Sequence, residues 1–235
     1  VTGYDMAKLY TGSFGALAVV TGAWLRLRPQ PAARVVLAGR VARDRVTFEA
    51  TRGLARSTTV RAFVWNESPT QTGPAELVVE LGGGEAPVAQ DRDALCAGLS
   101  LAVAEPLAVD RLRDERTHAA SDAPIGLRAR VPANRLEALR EILLAAGFAI
   151  SVDLGVGVVT ARGGAAGDSS RTLLGLREQV EASGGLLRFE WLPPVLAESL
   201  DVFGEEPGTR ALVVSLKQRF DPRRILNPGR FVAGT

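Results

Sequence analysis

Between Arg34 and Trp191 the same order of elements is written twice, and this doubling most constrains what the chain can fold into. Arg34 to Arg40 reads as a strand. Asp44 to Ala55 reads as a helix, with Asp44 as N-cap and Val46, Phe48, Ala50 and Leu54 as apolar positions. Val60 to Trp65 alternates as a strand, and Asn66 to Pro74 has turn composition. Glu76 to Leu81 is a further strand, stopped by Gly82-Gly83-Gly84. Val88 to Ala104 reads as one long helix with Leu95, Leu99 and Val103 along a face. A polar linker, Asp110 to Asp122, follows. The order then recurs. Ile125 to Val131 is a strand, and a helix opened by Pro132, Ala133 and Asn134 runs to Ala146. Leu136, Leu139, Ile142 and Leu143 form its stripe, with Gly147 past its end. Phe148 to Val152 and Gly157 to Ala161 form a hairpin around Leu154-Gly155. After the glycine-rich Gly163 to Gly167, a helix capped by Ser169 or Ser170 runs to Ala182, stopped by Gly184-Gly185, and Leu186 to Trp191 is the last strand. Strand, helix, two strands, helix, strand is the split βαβ, ferredoxin-like arrangement. Two in tandem predict an α+β fold with one antiparallel sheet and helices on one face.

The 235 residues suffice for a sizeable core, in one domain or two smaller ones. Formal net charge is +2, and Lys8 and Lys217 are the only lysines, so nearly all positive charge is arginine. The arginines are scattered rather than clustered with aromatics, which argues against nucleic acid as a partner. A single cysteine, Cys96, excludes an intrachain disulfide and falls in an apolar helical stripe, as a core residue would. No apolar run approaches the ~20 residues of a membrane span. A reducing cytoplasm is the default expectation.

The two ends differ from the middle. Gly12-Ser13-Phe14-Gly15 is a glycine-spaced turn feeding Ala16 to Leu27, an apolar and β-branched run expected to be a buried strand. Pro29 and Pro31 bracket a boundary. At the far end a helix from about Thr209 to Phe220 precedes Asp221-Pro222 and Leu226-Asn227-Pro228-Gly229. Taken singly, a glycine turn and an Asx turn account for both motifs.

Together, the two ends carry a resemblance. Gly3-Tyr4-Asp5, Leu9, Gly12-Ser13, Gly15 and Leu17, then Phe220-Asp221-Pro222 and Ile225 to Arg230, resemble FAD-linked oxidases of the vanillyl-alcohol oxidase / p-cresol methylhydroxylase (PCMH) type. The similarity is greatest to the E-type, FAD-binding subunit of glycolate oxidase. It implies that residues 1–31 close a PCMH-type FAD-binding domain, 32–204 form a cap with its linker near 110–122, and 205–235 return to the first domain. It implies FAD as cofactor, with Gly3, Tyr4, Asp5, Gly12, Ser13, Phe14, Gly15, Val19, Val20 and Asn227 lining its groove. The chain then reads as the back part of a longer protein, because the family's glycine-rich pyrophosphate loop would lie upstream of Val1.

The implied activity is oxidation of a 2-hydroxy acid such as glycolate or D-lactate, or relay of electrons from it. Partners would be the missing N-terminal FAD-binding portion and other oxidase subunits, one carrying iron–sulfur or flavin. The implied location is the cytoplasm, or the periphery of the inner membrane. Three departures bear on the site. Ala18 stands where the family has glycine. Asp153 and Leu154 replace the start of a His-Ala-Gly segment. The lone histidine, His118, falls in the linker, so no metal set is expected. Arginine suits a carboxylate substrate, which makes Arg128 and Arg188 the catalytic candidates, with solvent-facing strand arginines as the plainer reading. An alternative of another class is a non-catalytic binding or assembly module built on the ferredoxin-like sheet.

Overall fold

A computed structural model describes residues 5–70, 72–105, 123–163, 170–204 and 208–229. The chain divides into two compact units. One comprises Val1–Arg28 with Asp201–Thr235, and the other Pro29–Leu200.

In the first unit, helix α1 is Met6–Tyr10. The second unit opens with β1 (Ala33–Val41), α2 (Arg45–Leu54), β2 (Val60–Glu67), β3 (Ala75–Gly83), α3 (Glu85–Leu99) and β4 (Ala102–Ala104). It continues with β5 (Ile125–Arg130), a 3-10 turn (Ala133–Arg135), α4 (Leu136–Ala145), β6 (Phe148–Asp153), β7 (Val158–Gly163), α5 (Ser170–Ala182), β8 (Leu186–Trp191) and α6 (Pro194–Ala197). Helix α7 (Thr209–Phe220) belongs to the first unit.

The described strands form one eight-stranded sheet in the order β4-β1-β3-β2-β6-β7-β5-β8, antiparallel at the pairings β1·β3, β1·β4, β2·β3, β2·β6, β5·β7, β5·β8 and β6·β7. This is the expected α+β class. The order mirrors about the β2·β6 pair, so each half contributes four strands and the halves meet at the middle. In β6 the buried positions alternate through Phe148, Ile150 and Val152. In β8, Leu187 and Phe189 are buried while Arg188 and Glu190 are exposed. These two strands bury one face, whereas β3 buries consecutive positions from Leu77 to Gly82, so the sheet is covered on both faces there.

Several elements differ from expectation, each for a physical reason. The first helix of the repeat buries Phe48, Thr51 and Ala55, not Val46, Ala50 and Leu54, because positions three and four apart share a helical face and positions two apart do not. Asp44 is its N-cap, accepting from the Thr47 amide at 2.9 Å and the Thr47 hydroxyl at 2.7 Å. Those bonds hold its carboxyl below the ordinary value. The long helix expected to Ala104 ends at Leu99. Ser100 adopts φ 52°, a left-handed stop, and residues 102–104 become an edge strand on β1. Cys96 is half-buried rather than core. The linker near 110–122, with His118, and Ser169 lie outside the described residues.

The seam between the halves is ionic. Glu67 on β2 is buried and receives a bidentate fork from Arg140 on α4, at 2.7 and 3.0 Å. Arg43 donates to the same carboxylate at 2.6 Å, and the Trp65 indole at 2.9 Å. Arg140 also bonds the Arg43 carbonyl at 2.6 Å and Glu137 at 3.1 Å, with its guanidinium over the Phe48 and Trp65 rings. Burial works to raise Glu67, but the bonds from Arg140, Trp65 and Arg43 outweigh it and hold the group below the ordinary value. Glu137, with one arginine bond and its other oxygen buried without a partner, is pushed up by burial.

Replacing Arg140 with Met should lower stability by about 3–5 kcal/mol, since it strips a buried carboxylate of its principal partner. Lysine should restore little, because a point charge cannot reproduce the fork. Urea unfolding of the two variants measures this; a loss under 1 kcal/mol for Arg140→Met would show that the seam does not depend on the pair.

Candidate functional site

The first unit joins the two chain ends through one buried ammonium. Lys217, on α7, is 1% exposed, and its Nζ has three acceptors. They are the Ala16 carbonyl at 2.8 Å, the Leu226 carbonyl at 2.7 Å and Asp221 Oδ2 at 2.7 Å. An ammonium has three hydrogens, so all are spent. Asp221 in turn accepts the Ile225 amide at 3.0 Å and the Leu226 amide at 2.9 Å. Burial works to raise the Asp221 carboxyl. The Lys217 bond, the two amides and the lysine charge outweigh it, and the group lies at about 2.

This knot ties the tail to the opening turn. Asn227 donates its amide N–H to the Phe14 carbonyl. A Cβ on Gly15 would sit 3.0 Å from Asn227 Nδ2. The turn runs through left-handed backbone at Gly12 (φ 82°), Phe14 (54°) and Gly15 (69°), and Asn227 itself is at 42°. A bulky residue such as Phe rarely adopts that conformation unless its surroundings enforce it. Ser13 bonds the Tyr10 carbonyl through both its amide (3.2 Å) and its hydroxyl (2.9 Å), and Ala16 N donates to the Ser13 carbonyl at 2.9 Å. Among the described residues, the amides of Gly12, Phe14 and Gly15 have no hydrogen-bond partner. The space beside Gly12 is open, and the Phe14 ring is 55% exposed, edge-on to Phe203 at 5.2 Å. Unspent amides beside left-handed backbone are the kind of donor that anion-binding nests use.

Of the expected cofactor residues, Ser13, Phe14, Gly15 and Asn227 therefore come together, with Gly12 at the turn's start. Asp5 caps α1, accepting the Lys8 amide at 3.3 Å. Gly3 and Tyr4 lie outside the described residues, as does Arg230. Tyr10 packs edge-on to Phe220 at 6.0 Å. The expected buried strand from Ala16 to Leu27 is a correction. Residues 18–32 carry no helix or strand, Val19 and Val20 are 74% and 64% exposed, and Trp24, Leu25 and Leu27 are exposed as well. Strand-forming residues need a ladder, and no described strand pairs with them.

Arg128 and Arg188 lie in the second unit as cross-strand neighbours on β5 and β8, both exposed. Arg128 pairs with Glu190 at 2.9 Å. Sequence reasoning missed Lys217, Asp221 and Phe203. The available signal was Lys217 itself, a lysine retained in a chain that otherwise uses arginine, four residues before an aspartate. Only a compact point charge fits three converging acceptors.

No family model matches the sequence, and no curated protein matches it. Solved structures do. A crystal form of alkyldihydroxyacetonephosphate synthase is similar to 97% of this chain over 50% of its own, with a TM-score of 0.60 at 14% identity. A second crystal form gives a TM-score of 0.58 at 13% identity, with the same coverage. The chain thus spans about half the length of these neighbours, and the likeness shows a shared fold.

Gly15→Ala should destabilise the first unit by about 1–2 kcal/mol, from left-handed strain and from crowding Asn227. Hydrogen exchange across residues 13–16 reads this directly. For Asp221, folding lowers the value from 3.8 to about 2, so its contribution is complete above pH 4 and lost as pH falls toward 2. The stability gap between the protein and Asp221→Asn should be flat from pH 7 to about 4 and close below that. A gap that widened on acidification would contradict the assigned pairing.

Proposed function

We propose that this chain is part of an FAD-dependent oxidoreductase, with the Gly12–Gly15 turn and the Asn227 tail forming one wall of the nucleotide site. The observation that supports this most directly is the set of unspent amides at Gly12, Phe14 and Gly15, in a turn bonded to the tail through Asn227. A pyrophosphate is the anionic part of FAD, and glycine-flanked amides suit its close approach. These groups, with Val19 and Val20 beyond them, would hold the cofactor; when bound, FAD supplies the hydride and electron chemistry. The chain's own residues bind and orient.

The exposed run from Val19 to Leu27 supports a further element of the reading. Five large apolar side chains, among them a fully exposed Trp24, form an exposed apolar stretch of the kind that marks an interaction surface. We assign its cover to a further FAD-binding portion, in keeping with a chain that spans half its structural neighbours. The resemblance of the chain ends to the glycolate oxidase E-type subunit favours a 2-hydroxy acid as electron donor. It also favours a relay to other oxidase subunits, one carrying iron–sulfur or flavin. On this reading the second unit is the cap, and Arg128 or Arg188 would grip the substrate carboxylate.

Protein purified with its natural partners should show a visible flavin absorbance band that glycolate or D-lactate bleaches. Trp24 fluorescence should shift to the blue on assembly with the FAD-binding portion and return to the red on dissociation. A preparation that stays colourless when FAD is added would overturn the reading in favour of a non-catalytic module. A flavin bleached by neither acid would retain the cofactor and remove the substrate class.

A further inference from the structure

We propose that Lys217 is a positioning residue for the anion-binding turn: its three bonds hold the Gly12–Gly15 amides in the arrangement that takes a phosphate group. The inference rests on the FAD reading above and assigns a role that the sequence did not suggest. Lys217 contributes no net charge to the site, because Asp221 neutralises it in contact at 2.7 Å. Its ammonium is buried and all its hydrogens are spent, so it cannot itself touch a ligand. What it does is geometric. One atom fixes the Ala16 carbonyl, at the end of the turn, to the Leu226 carbonyl, next to Asn227. Asn227 then holds the Phe14 carbonyl. Phe14 gains little from burial of its own ring, yet stays in left-handed backbone. These two ties, on its own carbonyl and on Ala16 two residues later, supply the constraint that such a conformation needs. A turn released from them would relax toward ordinary backbone and reorient its amides.

The test separates geometry from charge. In Lys217→Met/Asp221→Leu the pair is replaced by apolar groups, a change that buried ion pairs often tolerate without loss of folding. The assembled protein carrying this double variant should fold, yet bind FAD about ten- to a hundredfold more weakly, as expected when a binding group is misplaced by about an ångström. The visible circular dichroism of the remaining bound flavin should change, and amide exchange at residues 13–16 and 225–227 should rise at least about tenfold. Val214→Ala, on the same helix but outside the knot, should lower the melting temperature without these changes. If the double variant does not fold, Lys217→Gln/Asp221→Asn keeps a polar pair too short for all three ties and is measured in its place. Unchanged FAD affinity and exchange in a folded variant would overturn the inference, as would equal effects from Val214→Ala. If the unaltered protein binds no FAD, the oxidoreductase reading fails, while the exchange measurement still decides whether Lys217 holds the turn.

Discussion

One buried ammonium organises the first unit. Ala16 and Lys217 stand 201 positions apart, and Lys217 and Leu226 only nine. The same three hydrogens therefore make a local cap for the tail and a long-range tie to the head. Such a group is tolerated in the interior only because every donor is matched and the charge is cancelled. With the set complete, two loops share one geometry; with Lys217 or Asp221 removed, its partner is left as an uncompensated buried charge. The strain at Phe14 fits this arrangement, since a conformation that sequence alone disfavours persists where several bonds over-determine it.

The second unit has its own version of the same solution. Its halves are mirrored about β2 and β6, and a sheet ladder alone would leave their helical layers to find each other by apolar packing. Glu67 instead gathers Arg43, Arg140 and Trp65 at the seam, with Phe48 beneath. Directional bonds of this kind favour one register over the many that a greasy seam would accept. Glu137 shows the opposite regime. Burial with a single arginine bond pushes it up, so two carboxylates within reach of one guanidinium are shifted in opposite directions.

The α+β class was legible in the sequence because period-2 strands and glycine stops recur in the same order twice. Helix α7 and β8 could be read to the residue. The site was legible only as glycine and Asn-Pro-Gly punctuation, which says that the backbone turns but not toward what. The run from Ala16 to Leu27 misled for an instructive reason: apolar and β-branched composition records a propensity to pair, and pairing requires a partner strand. Ser100 could not have been foreseen as a helix stop, because its left-handed conformation reflects the β4 residues that follow finding β1. Lys217 and Asp221 were passed over because a helical i, i+4 pair is ordinarily a surface feature; burial turned it into a structural centre.

A unit made from both ends of a chain also carries a folding constraint. Bringing Ala16 to Lys217 across an unfolded intervening chain costs loop-closure entropy that grows with the logarithm of the loop length. The intervening residues are the second unit, whose contacts are far more local: hairpins, helix-strand neighbours and one seam. Once that unit is compact it no longer behaves as a long flexible loop, and the remaining closure involves only the flanking segments. The knot at Lys217 is therefore expected to form late, after the residues between its halves have folded. Its stability therefore depends on the folded state of the residues between its halves as well as on its own bonds.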